Sequence, residues 1–263
     1  MKHVRLEITD RIATVTLDRP PVNALDADAF REIAQIFTDL GRSKEASVVI
    51  FTAPGQKIFC AGVDLKDSAR RHARQLLEGD TVIDLVDPGA VPRQCFEAIR
   101  NCPLPVIGAI NGKTIGAGVA LAASCDLLIA SETATFSVPE ITVGVLGGGR
   151  HMQRLVGTHK MRRAFFTGKP LPASELYRLG SVEEVVQPKN LMTAAGELAA
   201  EIACNSPLGL RLGKESLNRV EDMPLEEGYR LEQEYTNRVT RLNDSAEARR
   251  AFEEKRDPQW SFS

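Results

Sequence analysis

The chain has 263 residues, of which 43% are hydrophobic and 26% are charged, and its formal net charge is −2. A chain of this length can bury one sizeable core, and this ordinary composition excludes a disordered or fibrous protein. With 33 basic against 35 acidic residues and no basic stripe, the charge argues against nucleic acid as a partner.

The N-terminus and the cysteines indicate where the protein works. The chain opens with MKHVR and no apolar signal core, and no apolar run approaches the roughly 20 residues of a membrane-spanning helix. Its five cysteines are scattered without a CxxC pair, and its four histidines form no ligand-like cluster. We therefore expect a cytoplasmic protein with no membrane partner, no disulfide frame and no metal site.

The first two thirds of the chain predict strands that alternate with helices. Residues 4–8 and 12–17 alternate apolar and polar side chains, which predicts an antiparallel hairpin. A helix is predicted from the N-cap Asp26 to Leu40, with Gly41 as its expected stop. Short apolar runs typical of strands covered on both faces follow at 48–52, 106–110 and 127–130. This order predicts an α/β fold whose crossover helices pack against a sheet.

After about residue 188 the sequence becomes helical. Helical spacing continues through 191–204, 207–219 and 225–242, and a fourth helix is expected around Phe252. We expect two regions: residues 1–188 form the core with the functional site, and residues 189–263 form a helical region. The second has too little core of its own to stand alone, so it should pack on the first region or on another subunit.

Three glycine-containing turns follow predicted strands. They read FCAGVDLK from Phe59, NGKTIGAGVA from Asn111 and GVLGGG from Gly144. Amides at the start of a helix carry partial positive charge, so two of them can hold one oxyanion. The segment from Gly116 to Gly118 loosely matches a dinucleotide-binding loop, but such a loop belongs in the first strand–helix unit, which argues against that function.

Together these segments resemble the crotonase family, also called the enoyl-CoA hydratase/isomerase superfamily, over nearly the whole chain. In chain order they read RPPVNAL, FCAGVDLK, PLPVIGAINGKTIGAGVALAASCDLLIAS, ATFSVPEITVGVLGGG, FFTGKPLPASELYRLGSVEEVV and AFEEKRDPQW. The resemblance implies a spiral of ββα units with a helical C-terminal region, assembled as a homotrimer or a dimer of trimers. It also implies an acyl-CoA thioester substrate, with coenzyme A as part of that substrate and no permanently bound cofactor.

The resemblance also implies site residues. In this family two backbone N–H groups polarise the thioester carbonyl and stabilise an enolate, and the matching groups here belong to Val63 and Ala117. Lys66 matches a position near the coenzyme A phosphates, and Lys255 one that reaches coenzyme A across a subunit boundary, although surface lysines are common. The full set of expected coenzyme A or substrate contacts is Ala61, Asp64, Leu65, Lys66, Gly116, Gly148, Phe252 and Lys255.

One departure from the family bears on the reaction. Family hydratases use two glutamates, one to activate water and one to supply a proton. Glu140 matches the second, but Ala120 stands at the first position and cannot transfer protons. We expect Glu140 to act as the single acid/base, in double-bond isomerisation or in ring-opening hydrolysis of a carbon–carbon bond. A hydratase with a substitute group and a non-catalytic scaffold that binds CoA thioesters are the alternatives.

Two further departures concern the surroundings of the site. His151 lies in GGGRHMQR, where the family usually has small residues, and is a possible catalytic group or a structural hydrogen-bonder. The segment between Lys66 and Leu104 is longer than in short-chain hydratases, which predicts a reshaped acyl pocket. The polar candidates in this segment are His72, Asp80, Asp84 and Asp87. These residues and the basic cluster at 70–74 are more simply explained as solvated helix faces.

Overall fold

The computed structural model describes residues 1–72 and 80–263. Within them, ten strands form two sheets. The strands are β1 (Val4–Thr9), β2 (Ile12–Leu17), β3 (Val48–Thr52), β4 (Ile58–Cys60), β5 (Val106–Ile110), β6 (Lys113–Ile115), β7 (Leu127–Ser131), β8 (Thr135–Ser137), β9 (Leu171–Pro172) and β10 (Glu184–Val186). The side chains of Arg71 and His72, and all of residues 73–79, lie outside the described part, so the predictions about His72 and the basic cluster are not addressed.

The helices fill the intervals between these strands and the C-terminal quarter. They are α1 (Ala27–Arg42), α2 (Leu65–His72), α3 (Val82–Val86), α4 (Ala90–Arg100), α5 (Ala117–Ser124), α6 (Gly149–Thr167), α7 (Ala173–Arg178), α8 (Leu191–Ala203), α9 (Pro207–Val220), α10 (Leu225–Val239) and α11 (Asn243–Glu254). Short 3₁₀ turns span Glu140–Val143 and Pro188–Asn190.

The strand order explains how the site is built. The large sheet runs β1-β2-β3-β5-β7-β10 and the small sheet β4-β6-β8-β9. Only the outer pairs β1–β2 and β8–β9 are antiparallel among the described strands. Consecutive strands therefore alternate between the sheets. In β3 and β4, in β5 and β6, and in β7 and β8, the first strand joins the large sheet and the second joins the small sheet before the chain enters a helix. This is the ββα repeat expected of the spiral, and it confirms the predicted α/β fold with a helical C-terminal region.

The large sheet is covered on both faces, as its apolar strands predicted. Strands β3 and β5 are buried at every position. Because neighbouring residues of a strand point to opposite faces, Val49 and Phe51 join the main core with helix α1, whereas Val48 and Ile50 pack against α8. Helix α8 thus completes the second face of the sheet.

Helix α1 continues past its predicted end at Leu40. It runs to Arg42, and Gly41 lies inside it. A Cβ on Gly41 would lie 2.8 Å from the Pro103 Cδ atom. The glycine therefore permits close packing against Pro103, and the prediction that it terminates the helix was wrong.

Polar contacts fasten α9 to the first part of the chain. The guanidinium of Arg211 donates to the carbonyls of Gly41 and Ser43 at 2.7 and 2.6 Å. The Lys214 ammonium donates to the Leu104 carbonyl at 2.9 Å and pairs with Asp126 at 2.6 Å. Across residues 1–72 and 80–263, no helix combines the length and the apolar character needed to span a bilayer.

Candidate active site

The first two glycine turns pack directly against each other. A Cβ on Gly62 would lie 3.0 Å from the Ile115 carbonyl oxygen and 3.7 Å from the Ala117 nitrogen. A Cβ on Gly118 would lie 2.7 Å from the Cys60 carbonyl oxygen. Side chains at these positions would push the turns apart. The two glycines therefore allow the backbones around Val63 and Ala117 to lie side by side.

The amide groups of Val63 and Ala117 are both available to a ligand. Leu25 donates to the Gly62 carbonyl and accepts from the Asp64 N–H, each at 2.8 Å, so the N–H of Val63 points away from Leu25. Ala117 is the first residue of α5, where a backbone N–H has no partner within the helix. Neither group donates to an acceptor in the described part of the chain. The structure thus brings together the two predicted oxyanion donors.

Glu140 follows β8 and lies beside the start of α5. Its Oε1 atom would be 3.0 Å from a Cβ on Gly116 and 2.9 Å from a Cβ on Gly148. Both glycines have positive φ, +54° and +67°, a conformation that side chains disfavour. The carboxyl group is therefore held between two glycines, next to the residue that precedes the Ala117 amide.

The environment of Glu140 suits proton transfer. Its Oε2 atom is buried and has no hydrogen-bond partner among the described residues. Burial raises the pKa of this carboxyl, and only its own backbone N–H opposes the shift. A carboxyl whose pKa moves toward neutrality can both accept and donate a proton near neutral pH.

No carboxylate replaces the missing first glutamate on α5. Ala120 is only 2% exposed, and its carbonyl accepts a hydrogen bond from Ser124 Oγ at 2.8 Å. The position is filled by close packing of a small side chain. Any second group at this part of the site must come from another element.

His151 lies in the first turn of α6 and is half-buried. Its ring meets the edge of Phe96 on α4, with centroids 5.0 Å apart at 64°. Burial lowers the pKa of the imidazole, and the positive charges of Arg150, Arg154 and Arg100 lower it further. The ring is therefore neutral at neutral pH. Its nitrogens make no hydrogen bond to the described residues.

An apolar cavity of about 100 Å³ adjoins Val63. Its wall includes Phe30, whose ring also meets Phe96 edge-on at 5.9 Å. In the sequence, Phe30 has the helical spacing of a core residue of α1, and nothing in the pattern distinguishes Phe96. The remaining lining residues are Leu25, Ala27, Asp67, Ser68, Asp84, Pro88, Val91 and Pro92.

Several predicted ligand contacts lie on the turn that enters α2. Ala61 is half-buried, and Leu65 and Lys66 are exposed. Asp64 accepts from the Lys66 N–H at 3.0 Å and from Arg19 at 3.2 Å. Burial acts to raise the pKa of Asp64, but these bonds and the Asp67 N–H lower it overall. Its side chain caps α2, and the signal was an aspartate just before a predicted helix.

The polar candidates between Lys66 and Leu104 are engaged in ion pairs. Asp84 accepts from Arg31 at 2.9 Å and from the Thr81 N–H at 2.6 Å. Asp80 lies 3.9 Å from the same arginine, and Asp87 pairs with Arg93. These contacts fix the segment that forms one wall of the cavity.

Phe252 and Lys255 are not assembled with the other site residues in one chain. Helix α11 packs on α9, and Phe252 at its C-terminal end is 86% exposed. Lys255 ends the helix with φ of +53° and is also exposed. Their predicted contact with coenzyme A stays a prediction.

Comparison with known proteins agrees with this geometry. A family model described as enoyl-CoA hydratase/isomerase matches residues 7–262. The chain is 37% identical over 250 residues to the (7aS)-7a-methyl-1,5-dioxo-2,3,5,6,7,7a-hexahydro-1H-indene-carboxyl-CoA hydrolase of Rhodococcus jostii, covering 95% of this chain and 93% of that protein. It is 32% identical over 260 residues to the short-chain-enoyl-CoA hydratase of Clostridium acetobutylicum, covering 97% and 96%. The crystal structure of an enoyl-CoA hydratase from Bacillus anthracis superposes with a TM-score of 0.89 at 30% identity, over all of both chains.

Proposed function

The chain belongs to the enoyl-CoA hydratase/isomerase family, the crotonase superfamily, and we propose that it is an acyl-CoA hydrolase that opens a carbocyclic ring. Its substrate is a thioester of coenzyme A whose acyl group contains a ring ketone. The observation that carries the proposal is the carboxyl group of Glu140, held beside two amides that have no acceptor among the described residues, while Ala120 occupies the first glutamate position.

The similarity to a hydrolase supports this choice over hydration. The Rhodococcus jostii relative is named as a hydrolase of a methyl-dioxo-hexahydro-indene carboxyl-CoA, which is a fused-ring diketone carried on coenzyme A. Hydration across a double bond needs a base for water and an acid for carbon. Hydrolytic ring opening also moves a proton from water and a proton to carbon, but it expels an enolate as leaving group, and the paired amides are placed to stabilise the enolate oxygen.

The reaction follows from the placement of these groups. Water adds its oxygen to the ring ketone carbon, and one water proton passes to solvent, from which Glu140 is reprotonated after turnover. The bond between that carbon and the carbon next to the thioester then breaks, and its electron pair passes into the thioester as an enolate. The N–H groups of Val63 and Ala117 hold the enolate oxygen. Protonated Glu140 delivers its proton to carbon, and the products are a carboxylate and an open-chain acyl-CoA.

The surroundings of the site favour both the stabilisation of the enolate oxygen by the two amides and the proton transfer by Glu140. In other enzymes, loss of one oxyanion donor costs about 3 kcal/mol of transition-state stabilisation. The Ala117 amide also lies at the N-terminus of α5, where the helix dipole favours negative charge. Burial raises the pKa of Glu140, which favours its protonated form and so helps the carboxyl to deliver a proton to carbon.

Double-bond isomerisation is the second candidate function. The same single carboxyl can take a proton from the carbon next to the thioester and return it two carbons away. The raised pKa of Glu140 favours this because the group must act as base and then as acid. An isomerase incorporates no oxygen from water, which distinguishes the two reactions.

The test incubates the protein with cyclic keto acyl-CoAs and unsaturated acyl-CoAs in ¹⁸O-labelled water, followed by mass spectrometry. Ring opening should add one water with its label to the keto substrates. Glu140→Gln should reduce turnover by at least about 100-fold, the usual scale for general acid–base groups. Glu132→Gln, on an exposed turn after β7, is the matched control. A shifted double bond without label would favour isomerisation, and full activity in Glu140→Gln would contradict both reactions.

We also propose how the enzyme holds coenzyme A. Lys66 and its neighbours Ala61, Asp64 and Leu65 lie along the entry to α2, and Gly116 and Gly148 line the carboxyl. Phe252 and Lys255 complete the site from an adjacent subunit of a homotrimer or a dimer of trimers in the cytoplasm. A mass of one subunit by light scattering, with full activity, would contradict this assembly.

A further inference from the structure

Helices α5 and α6 run side by side in the same direction. At their N-terminal ends, a Cβ on Gly148 would lie 3.5 Å from the Gly116 carbonyl oxygen. Further along, in the second turn of α6, the Arg154 guanidinium donates to the Ala123 carbonyl and, at 3.2 Å, to the Cys125 carbonyl at the C-terminal end of α5. The start of α6 is therefore level with the start of α5, and Arg154 is level with the last turn of α5.

This alignment places His151 level with Ala120. His151 follows Gly148 by three residues and Ala120 follows Gly116 by four, at about 1.5 Å of rise per residue. Residues three apart share a helix face, so His151 lies on the same face as Arg154, which reaches α5. The packing of its ring on Phe96 holds the imidazole between α4 and α6.

The imidazole has the chemical properties that Ala120 lacks. The positive charges of Arg150, Arg154 and Arg100 act on it, and Glu221 pairs with the latter two. Burial and these cations keep the ring unprotonated, so one nitrogen can accept a proton. No described residue donates a hydrogen bond to that nitrogen, so it can accept a proton from water or substrate.

We propose that His151 is a second catalytic residue, the base that takes a proton from the attacking water in place of the missing first glutamate. This inference rests on the proposed ring-opening reaction. The water proton passes to His151, the new C–O bond forms at the ring ketone, and the C–C bond breaks with its electron pair on the enolate. Glu140 then protonates carbon, and the imidazolium and the Glu140 carboxylate exchange the remaining proton through solvent.

The experiment separates the two roles with two reactions. Ring opening of a cyclic keto acyl-CoA in ¹⁸O-labelled water needs both groups. Deuterium exchange at the carbon next to the thioester, in a saturated acyl-CoA without the ketone, needs only Glu140 and the amides. His151→Ala should lower ring opening at least about 100-fold and change exchange less than about threefold, whereas loss of Glu140 should abolish both.

Two further variants make the result decisive. His151→Gln keeps a polar side chain against Phe96 without a usable base, so it should fail in ring opening as His151→Ala does. His159→Ala, at an exposed position beyond the kink at Gly157, should behave like the wild type. Ring opening retained by either His151 variant, or an equal loss of both reactions, would overturn the proposal. A wild-type protein that never incorporates the label would instead contradict the proposed function itself.

Discussion

The Oε1 atom of Glu140 lies 2.9 Å from the point that a Cβ of Gly148 would occupy. The same Cβ would also lie 2.9 Å from Val138 Cγ1, so there is no room for a side chain at position 148. The contribution of Gly148 is therefore steric. Its lack of a side chain leaves the space in which the Glu140 carboxyl group lies next to the amide of Ala117.

This relationship predicts a selective effect of Gly148→Ala. The added methyl group would displace the Glu140 carboxyl, so we expect turnover to fall at least about tenfold, equivalent to about 1.4 kcal/mol in transition-state free energy. Gly144→Ala is the matched control because Gly144 also has positive φ, +77°, but nothing lies within 4 Å of its added Cβ. Both variants should lose about 1 kcal/mol of stability from backbone strain. Equal activity in the two variants would contradict the role of the cradle.

The raised pKa of Glu140 predicts a pH-dependent stability change. A carboxyl whose pKa is higher in the folded state than its usual value of 4.5 stabilises the fold most below that value, and this contribution is lost as pH rises through the folded pKa. Glu140→Gln removes the ionisation. Its unfolding midpoint should therefore rise relative to the wild type as pH increases from 4 to 8, measured by thermal denaturation. A difference that does not vary with pH would contradict burial as the cause.

Lys214 and Asp126 predict a stability effect far from the site. Lys214 is 6% exposed, and its removal leaves a carboxylate whose pKa burial already raises despite the ion pair. Lys214→Met should destabilise the fold by about 2 kcal/mol in urea denaturation at neutral pH, because it removes the charged donor that pairs with the 24% exposed side chain of Asp126 and bonds to the Leu104 carbonyl. The loss should shrink as the pH falls and Asp126 becomes protonated. Lys189→Met, at an exposed position, is the control.

The buried strands and the glycine turns could be predicted because both depend on the local sequence. Strands β3 and β5 are continuous apolar runs, and the glycine turns show where backbone must approach backbone. Strands β4, β6, β8 and β9 have three, three, three and two residues, which is too short for any periodicity. Their pairing is set by the three-dimensional spiral and not by their own residues.

The surroundings of His151 show the other limit. The position of His151 along the helix axis relative to Ala120 is inferred from the hydrogen bonds that Arg154 donates to the Ala123 and Cys125 carbonyls at the end of α5. Because these acceptors are backbone groups, no particular residue type in the sequence predicts them. Phe30 and Phe96 have the spacing of ordinary core residues, yet together they connect the cavity to His151. Asp64 has a signal that was available, since it immediately precedes a helix, and its carboxylate caps α2.

The C-terminal tail provides a last prediction because two buried carboxylates, Asp244 and Glu247, hold it by hydrogen bonds to Ser261 and to Gln259. Asp244 is 1% exposed and accepts from Ser206 Oγ, from the Ser261 N–H and from Ser261 Oγ at 2.9, 2.9 and 3.0 Å. The only tryptophan, Trp260, lies in this tail and donates to the Cys204 carbonyl at 2.9 Å. Its fluorescence therefore reports whether the tail is docked.

Asp244→Ala removes all three bonds, so we expect the tail to detach before the rest of the chain unfolds. Tryptophan emission should shift to longer wavelength at lower urea concentrations than the loss of helical circular dichroism. Asp257→Ala, an exposed position in the same tail, should keep the two transitions together. Bonds to a charged acceptor usually contribute about 1.5 to 3 kcal/mol each. Coincident transitions in Asp244→Ala would therefore contradict the role of Asp244 and mean that the bond from the Gln259 N–H to Glu247 and the other contacts of the tail are sufficient to hold it.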